Sequence, residues 1–176
     1  ETNRRPIWSI MIPTYERSRY LSAAIESVLA QISEREFDRF QIEVVDNCST
    51  NKAIESIVSQ YKGKVSFYCQ PKTVDIYTNW NTCIERALGI YIHILHDDDI
   101  VGAGFYHRME IGFNTNSVIG AACCRHQHID EIGRRLKYIS RLHRKKAGII
   151  PNFIEKIAIS SLFDPPAVTV KKEVYE

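Results

Sequence analysis

Apolar positions recur along this chain in two alternating rhythms. "PIWSIMI" (6–12) is a short apolar run bounded by prolines and reads as a buried strand. "RYLSAAIESVLAQI" (19–32) carries Tyr20, Leu21, Ala24, Ile25, Val28 and Leu29 on one helical face. "FQIEVV" (40–45) is strand-like again, and "NKAIESIVSQY" (51–61) places Ile54, Ile57, Val58 and Tyr61 at helical spacing. "KVSFYC" (64–69) predicts a third strand, "NWNTCIERAL" (79–88) a helix with Gly89 as its C-cap, and "IYIHIL" (90–95) a fourth strand. Strands alternating with helices of this length are the pattern of βαβ units and a mostly parallel sheet flanked by helices.

Beyond residue 100 the pattern is looser. A helix is expected over 103–113, a strand over 117–123, and "IDEIGRR" (129–135) reads as a turn between two strands. Pro151 suits the first turn of a short helix over 151–160, and "KKEVYE" looks like the start of another. No repeat, low-complexity segment or linker divides the 176 residues, so one domain is expected.

In a parallel sheet, ligands bind beyond the carboxyl ends of the strands. Strand one exits into "PTYERSR" (13–19), strand two into "DNCSTN" (46–51) and strand four into "HDDD" (96–99). A shared pocket explains three polar loops at one edge better than coincidence does. Tyr15 offers an aromatic face, and Asp46 and Asn47 offer directional hydrogen bonds suited to a nucleobase and ribose. Three adjacent aspartates repel one another and any phosphate, so relief must come from a cation, a raised pKa or solvent. A nucleoside diphosphate bridged by Mg²⁺ or Mn²⁺ satisfies all three loops. Structural roles stay open: Asp46 as a turn or capping residue, Tyr15 as a packed aromatic, the aspartates as a solvated loop.

Composition narrows the classes. With 44% apolar residues, 25% charged residues and a net charge of +2, the chain is neither disordered nor suited to nucleic acid in general. The local exception, "RRLKYISRLHRKK" (134–146), is either a solvated face or a patch for a diphosphate or membrane surface. Five cysteines without a CxxC pair point to reduced structural thiols in a cytoplasmic setting. Zinc is not expected, its nearest candidate being "CCRHQH" (123–128). No apolar run spans a bilayer, which leaves peripheral association with the inner membrane face open. The start at Glu1, without Met, suggests an excised domain. There is neither a GxxxxGK[ST] loop nor a GxGxxG after strand one, which speaks against an NTPase and an NAD enzyme.

"SIMIPTYERSRYLSAAIESVLAQ" (9–31), "IEVVDNCSTN" (42–51), "NWNTCIERALGIYIHILHDDDI" (79–100) and "PPAVTVKKEVYE" (165–176) resemble the inverting family 2 glycosyltransferases of GT-A fold. The resemblance implies a Rossmann-like sheet, a UDP- or dTDP-sugar donor, a glycan or lipid-linked acceptor, and Mn²⁺ or Mg²⁺. It places Pro13, Thr14, Tyr15 and Glu16 along the base and ribose, Asp46 and Asn47 at the base, and Asn79 and Asn81 along the donor pocket. Asp97 falls near the ribose, with Asp98 and Asp99 as metal ligands. His96 stands where the family's first acidic residue is found, and the glycine usual before "NWN" is absent. The resemblance makes residues 1–100 a nucleotide-sugar half and 101–176 the start of an acceptor-side half. It puts the catalytic base beyond Glu176, so no base is named. A nucleotidyltransferase, a non-catalytic nucleotide-sugar-binding domain and a calcium-binding Asp loop are the alternatives.

Overall fold

The fold was read from a computed structural model that describes residues 5–139 and 146–176. Strand β1 (Trp8–Thr14) is buried along its whole length. It lies at the centre of the sheet, between β2 (Phe40–Asp46) and β4 (Tyr91–Ile94), with β3 (Ser66–Cys69) outside β2. All three pairings are parallel. A central parallel strand is covered on both faces, and this explains the continuous apolar run of β1. Trp8, Ile10 and Ile12 face helices α1 (Leu21–Leu29), α2 (Ala53–Ser59) and α4 (Phe105–Asn114), while Met11 faces α3 (Ile76–Arg86). In α1 the buried residues are Leu21, Ala24, Ile25 and Val28, the stripe that the sequence spacing predicts.

β1 runs through Pro13 instead of stopping there. The ladder to β4 ends at Met11–Ile94, whereas pairing with β2 continues through Thr14–Asp46. The missing Pro13 N–H therefore falls where β1 and β4 have already parted. Helix α3 begins three residues earlier than expected, because the Asp75 carboxylate accepts from Tyr77 N and Thr78 N, each at 3.0 Å. Gly89 is not the helix cap. A Cβ there would stand 2.6 Å from Ser9 N and 2.7 Å from Trp8 C, so its role is to let the chain pass β1 closely.

The second half adds an antiparallel strand to the parallel sheet. β8 (Val168–Lys171) pairs antiparallel with β4, and β5 (Ala121–Cys123) pairs antiparallel with β8, giving the order β3-β2-β1-β4-β8-β5. β6 (Gln127–Ile129) and β7 (Arg135–Ile139) form a separate hairpin. Its turn is the one expected: the Asp130 carboxylate accepts from Ile132 N and Arg134 N, and Gly133 takes a φ of 81°. α5 (Phe153–Ile159) starts after Asn152, so Pro151 precedes the helix instead of opening it. The expected helix at the end is a 3-10 turn over Lys172–Val174. Part of the basic run at 134–146 lies outside the described residues. Among the described residues no helix is long and apolar enough to cross a membrane.

Candidate functional site

Because β1, β2 and β4 are parallel, their exits do share one edge, and side-chain hydrogen bonds tie the loops together. The loop after β1 is the hub. Thr14 Oγ1 lies 2.6 Å from Asp97 Oδ2 and 3.0 Å from Arg17 O. An ionised Asp97 receives the hydroxyl hydrogen; a protonated Asp97 donates its own and frees the hydroxyl to donate to Arg17 O. Burial of Asp97 raises its pKa, and the hydrogen bond from Thr14 and the charge of Arg17 oppose that shift. The guanidinium of Arg17 bridges the acidic loop, with Nη2 at 2.5 Å from Asp97 Oδ1 and Nη1 at 2.8 Å from Asp98 Oδ2.

The three aspartates are therefore not equivalent. Asp97 is buried, whereas the Asp98 and Asp99 side chains are 41% and 47% exposed. Exposure makes the latter two accessible to an ion. His96 joins them: one ligand atom each from His96, Asp98 and Asp99 lie within 4.8 Å of one another. His96 Nε2 is buried without a hydrogen-bond partner, and its ring packs 5.3 Å from Trp80. The set of two carboxylates and an imidazole fits a divalent cation, with Mn²⁺ the better match to a mixed oxygen and nitrogen set.

A second group joins the loops after β1 and β2. Glu16 N donates to Ser49 Oγ at 2.8 Å, and Ser49 Oγ donates to Asp46 Oδ1 at 2.5 Å. The Glu16 carboxylate accepts from Thr50 N at 2.7 Å and from the Thr50 hydroxyl, and the bond from Thr50 N lowers its pKa. Glu16 and Cys48 adopt positive φ values of 55° and 60°, a cost that these latches hold in place. Asp46 also accepts from Ser49 N. Beside this group Tyr15 is 47% exposed.

Two asparagines are turned to internal use. Asn47 exchanges hydrogen bonds with the backbone of Val74, donating at 2.8 Å and accepting at 2.9 Å, and so fixes the approach to α3. Asn79 is buried, accepting from Gln70 Nε2 at 3.3 Å and donating to Val45 O at 3.4 Å. Asn81 is exposed and lines a largely apolar cavity of about 340 Å³ between α3 and strands β4 and β8, together with Trp80, Ile92 and Phe163. Pro13 is buried within β1. The structure thus gathers Thr14, Tyr15, Glu16, Asp46, Asp97, Asp98 and Asp99 at one edge, and sets Asn47 and Asn79 behind it as supports. Arg17, Ser49 and Thr50 were missed by the sequence reading. The signal for Arg17 was available, since a basic side chain in the loop facing three aspartates is the nearest source of countercharge.

Comparison with known proteins identifies the family and the fold. The glycosyl transferase family 2 profile matches residues 9–165. A protein of Rickettsia bellii described as an uncharacterized glycosyltransferase is 30% identical over 135 residues, covering 75% of this chain and 18% of that protein. The structure of S. aureus TarS 1–349 in complex with UDP-GlcNAc superposes with a TM-score of 0.68 at 16% identity, covering 96% of this chain and 46% of that one. The mannosyltransferase PcManGT of Pyrobaculum calidifontis, in complex with GDP-Man and Mn²⁺, gives 0.59 at 18% identity, covering 69% of this chain and 36% of that one. This chain spans less than half the length of the curated relatives it matches. The mostly parallel sheet with flanking helices is the GT-A-type fold that the resemblance implies. With the profile match covering most of the chain, this protein belongs to glycosyl transferase family 2.

Proposed function

We propose that this chain is the donor-binding part of an enzyme that moves a sugar from a nucleoside diphosphate sugar to an acceptor hydroxyl with inversion. The acceptor class in this reading is a glycan or a lipid-linked glycan. Residues 1–100 supply the nucleotide-sugar half, and residues 101–176 begin the acceptor side. One observation carries the proposal: an exposed aromatic, a latched aspartate and a split acidic cluster share a single sheet edge. Tyr15 stacks on the base, Asp46 accepts a base N–H, and Asp97 lies toward the ribose. Asp98 and Asp99, with His96, would hold Mn²⁺ or Mg²⁺. When bound, such an ion neutralises charge developing on the departing diphosphate. Arg17, which reaches Asp97 and Asp98 at this edge, would offer its guanidinium to phosphate oxygens. The nucleotide sugars and Mn²⁺ named for the TarS and PcManGT structures support this reading. Glu173 is an ion-pair partner of Lys171 with 71% exposure, and no residue of the chain is assigned the role of base.

Calorimetry with UDP, GDP and dTDP, with and without Mn²⁺, tests the proposal. Saturable binding of one nucleotide that requires Mn²⁺ and disappears in Asp98→Ala is expected. Binding of none of the three in the presence of Mn²⁺ would sink the donor-site reading; unchanged affinity in Asp98→Ala would remove Asp98 as the ligand. With full-length protein and donor, release of nucleoside diphosphate is expected. Release of pyrophosphate would favour nucleotidyl transfer instead.

A further inference from the structure

Two histidines and an aspartate outside the donor site converge in a way that neither sequence spacing nor the proposed reaction explains. His126 and His128 flank Gln127, and alternation along an extended chain puts both imidazoles on one face. Asp164 arrives from the loop that leads into β8. The juxtaposition follows from topology. β8 runs antiparallel to β4, so its beginning lies at the edge where β4 runs out into Asp97–Asp99. Cys123 pairs with Val168, and Cys124 N donates to Ala167 O at 2.9 Å, which brings the chain entering the hairpin to the same place.

The contacts have the form of ligands around a shared ion. His126 Nε2 is 3.0 Å from Asp164 Oδ2, and His128 Nε2 is 3.5 Å from the same oxygen. All three ligand atoms fall within 4.8 Å of one another. Despite the 3.0 Å approach, both ring nitrogens of His126 are buried and make no hydrogen bond. Two groups that bind each other point donor at acceptor; two groups that bind a common ion lie close but aim past each other. With bonds of about 2.0–2.2 Å, ligand atoms around a tetrahedral or octahedral ion stand roughly 3 Å apart. The two separations from Asp164 Oδ2, 3.0 and 3.5 Å, match that spacing. The ring of His128 is held edge-on by Tyr138 at 4.6 Å, which fixes its direction. The His126 side chain is 19% exposed, whereas those of His128 and Asp164 are 44% and 54% exposed, so one side of the cluster stays open to solvent.

We propose that His126, His128 and Asp164 form a second divalent-metal site, on the acceptor side of the catalytic edge and separate from His96, Asp98 and Asp99. Two imidazoles and one carboxylate select a borderline transition metal of the Zn²⁺ class over Mg²⁺. The ion fastens the β6–β7 hairpin to the loop before β8 and keeps open positions for water or a ligand oxygen.

The test is Zn²⁺ titration by calorimetry with the intact chain, and Co²⁺ absorption as a spectroscopic probe of the ligands. One equivalent of Zn²⁺ with micromolar or tighter affinity is expected, and the Co²⁺ spectrum should show d–d bands without a thiolate charge-transfer band. His128→Gln, an exposed and conservative change, should weaken binding at least about tenfold. His126→Ala should do the same, while the double variant Asp98→Ala/Asp99→Ala leaves this equivalent in place. Zn²⁺ should also raise the melting temperature of the parent chain and not that of His128→Gln. The proposal is overturned if Zn²⁺ binding is absent, if it is unchanged in His128→Gln, or if only the Asp98/Asp99 variant loses it. Because the donor site is removed in that variant, failure here and failure of the donor reading are told apart.

Discussion

Helices α1 and α5 carry similar apolar side chains and use them in opposite ways. In α1, Leu21, Ala24, Ile25 and Val28 are all fully buried against β1. In α5, Ile154 is 78% exposed, Ile157 41% and Ile159 85%, and no residue of the helix is buried. The ring of Phe153 stacks on that of Phe163 at 6.0 Å, one of the helix's ties to the rest of the chain. Helical spacing is the same kind of signal in both, so spacing predicts a helix and says nothing about whether a surface exists to receive it. The same contrast runs through the site. The donor edge rests on a core closed on both faces, whereas the hairpin and Asp164 rest on a few polar contacts.

Four measurements test the contrast between the two regions. Ile25→Ala should cost about 3 kcal/mol in urea unfolding, as expected for a large side chain lost from a closed core. A loss below about 1 kcal/mol would mean that α1 is as loosely held as α5.

His93 comes next, since it joins the two regions. It is fully buried, its Nε2 2.9 Å from Pro166 O and its Nδ1 3.1 Å from the Tyr106 hydroxyl. A carbonyl only accepts, so Nε2 carries the proton and Nδ1 accepts from Tyr106. Burial lowers its pKa from 6.5 to about 4. Between those values the unfolded chain binds a proton that the folded chain refuses, so stability is full above pH 6.5 and falls as pH drops toward 4. The loss from this group is on the order of 3 kcal/mol. Asp97 acts with the opposite sign. Its raised pKa gives stability that is present below the ordinary carboxylate value and lost as pH rises through the folded one. Unfolding curves for His93→Gln and its parent, both in an Asp97→Asn background, isolate the histidine. The variant should show a flatter acid limb, and parallel curves would overturn the assignment.

Arg17→Ala should have a smaller effect on stability, about 1 kcal/mol, because the guanidinium is largely exposed and screened. It should tighten Mn²⁺ binding several-fold in the absence of nucleotide, since the competing cation leaves Asp98. Unchanged Mn²⁺ affinity by calorimetry would show that Arg17 does not occupy the ion's place. Ile154→Ala should change stability by less than about 0.5 kcal/mol. A loss near that of Ile25→Ala would show that α5 is covered in solution and that the contrast between the helices is false.

Much of the first half could be read from sequence because its order is local. Continuous apolar runs gave β1, β2 and β4, helical spacing gave α1 and α2, and parallel pairing then put three polar loops at one edge. The errors there are also local and have physical causes. Pro13 stays in a strand because the ladder it would break has already ended. Gly89 serves a close passage beside Ser9 and not a cap. The second half was less legible because its strands are short and its partners distant in sequence. No period in residues 117–171 indicates that β8 inserts between β4 and β5.

Residue types and their order suffice to nominate an aromatic, an acid and an acidic run at the ends of parallel strands, in an order that resembles family 2 glycosyltransferases. The tertiary fold set how those residues divide their work. It buried Asp97 and exposed Asp98 and Asp99, turned Asn47 and Asn79 inward, placed Arg17 between two carboxylates, and carried Asp164 to His126 and His128. Burial and distance set these roles, and both depend on contacts between residues far apart in the chain. Residue types and local spacing can nominate a charge for a site; desolvation and the neighbouring charge decide what it does there.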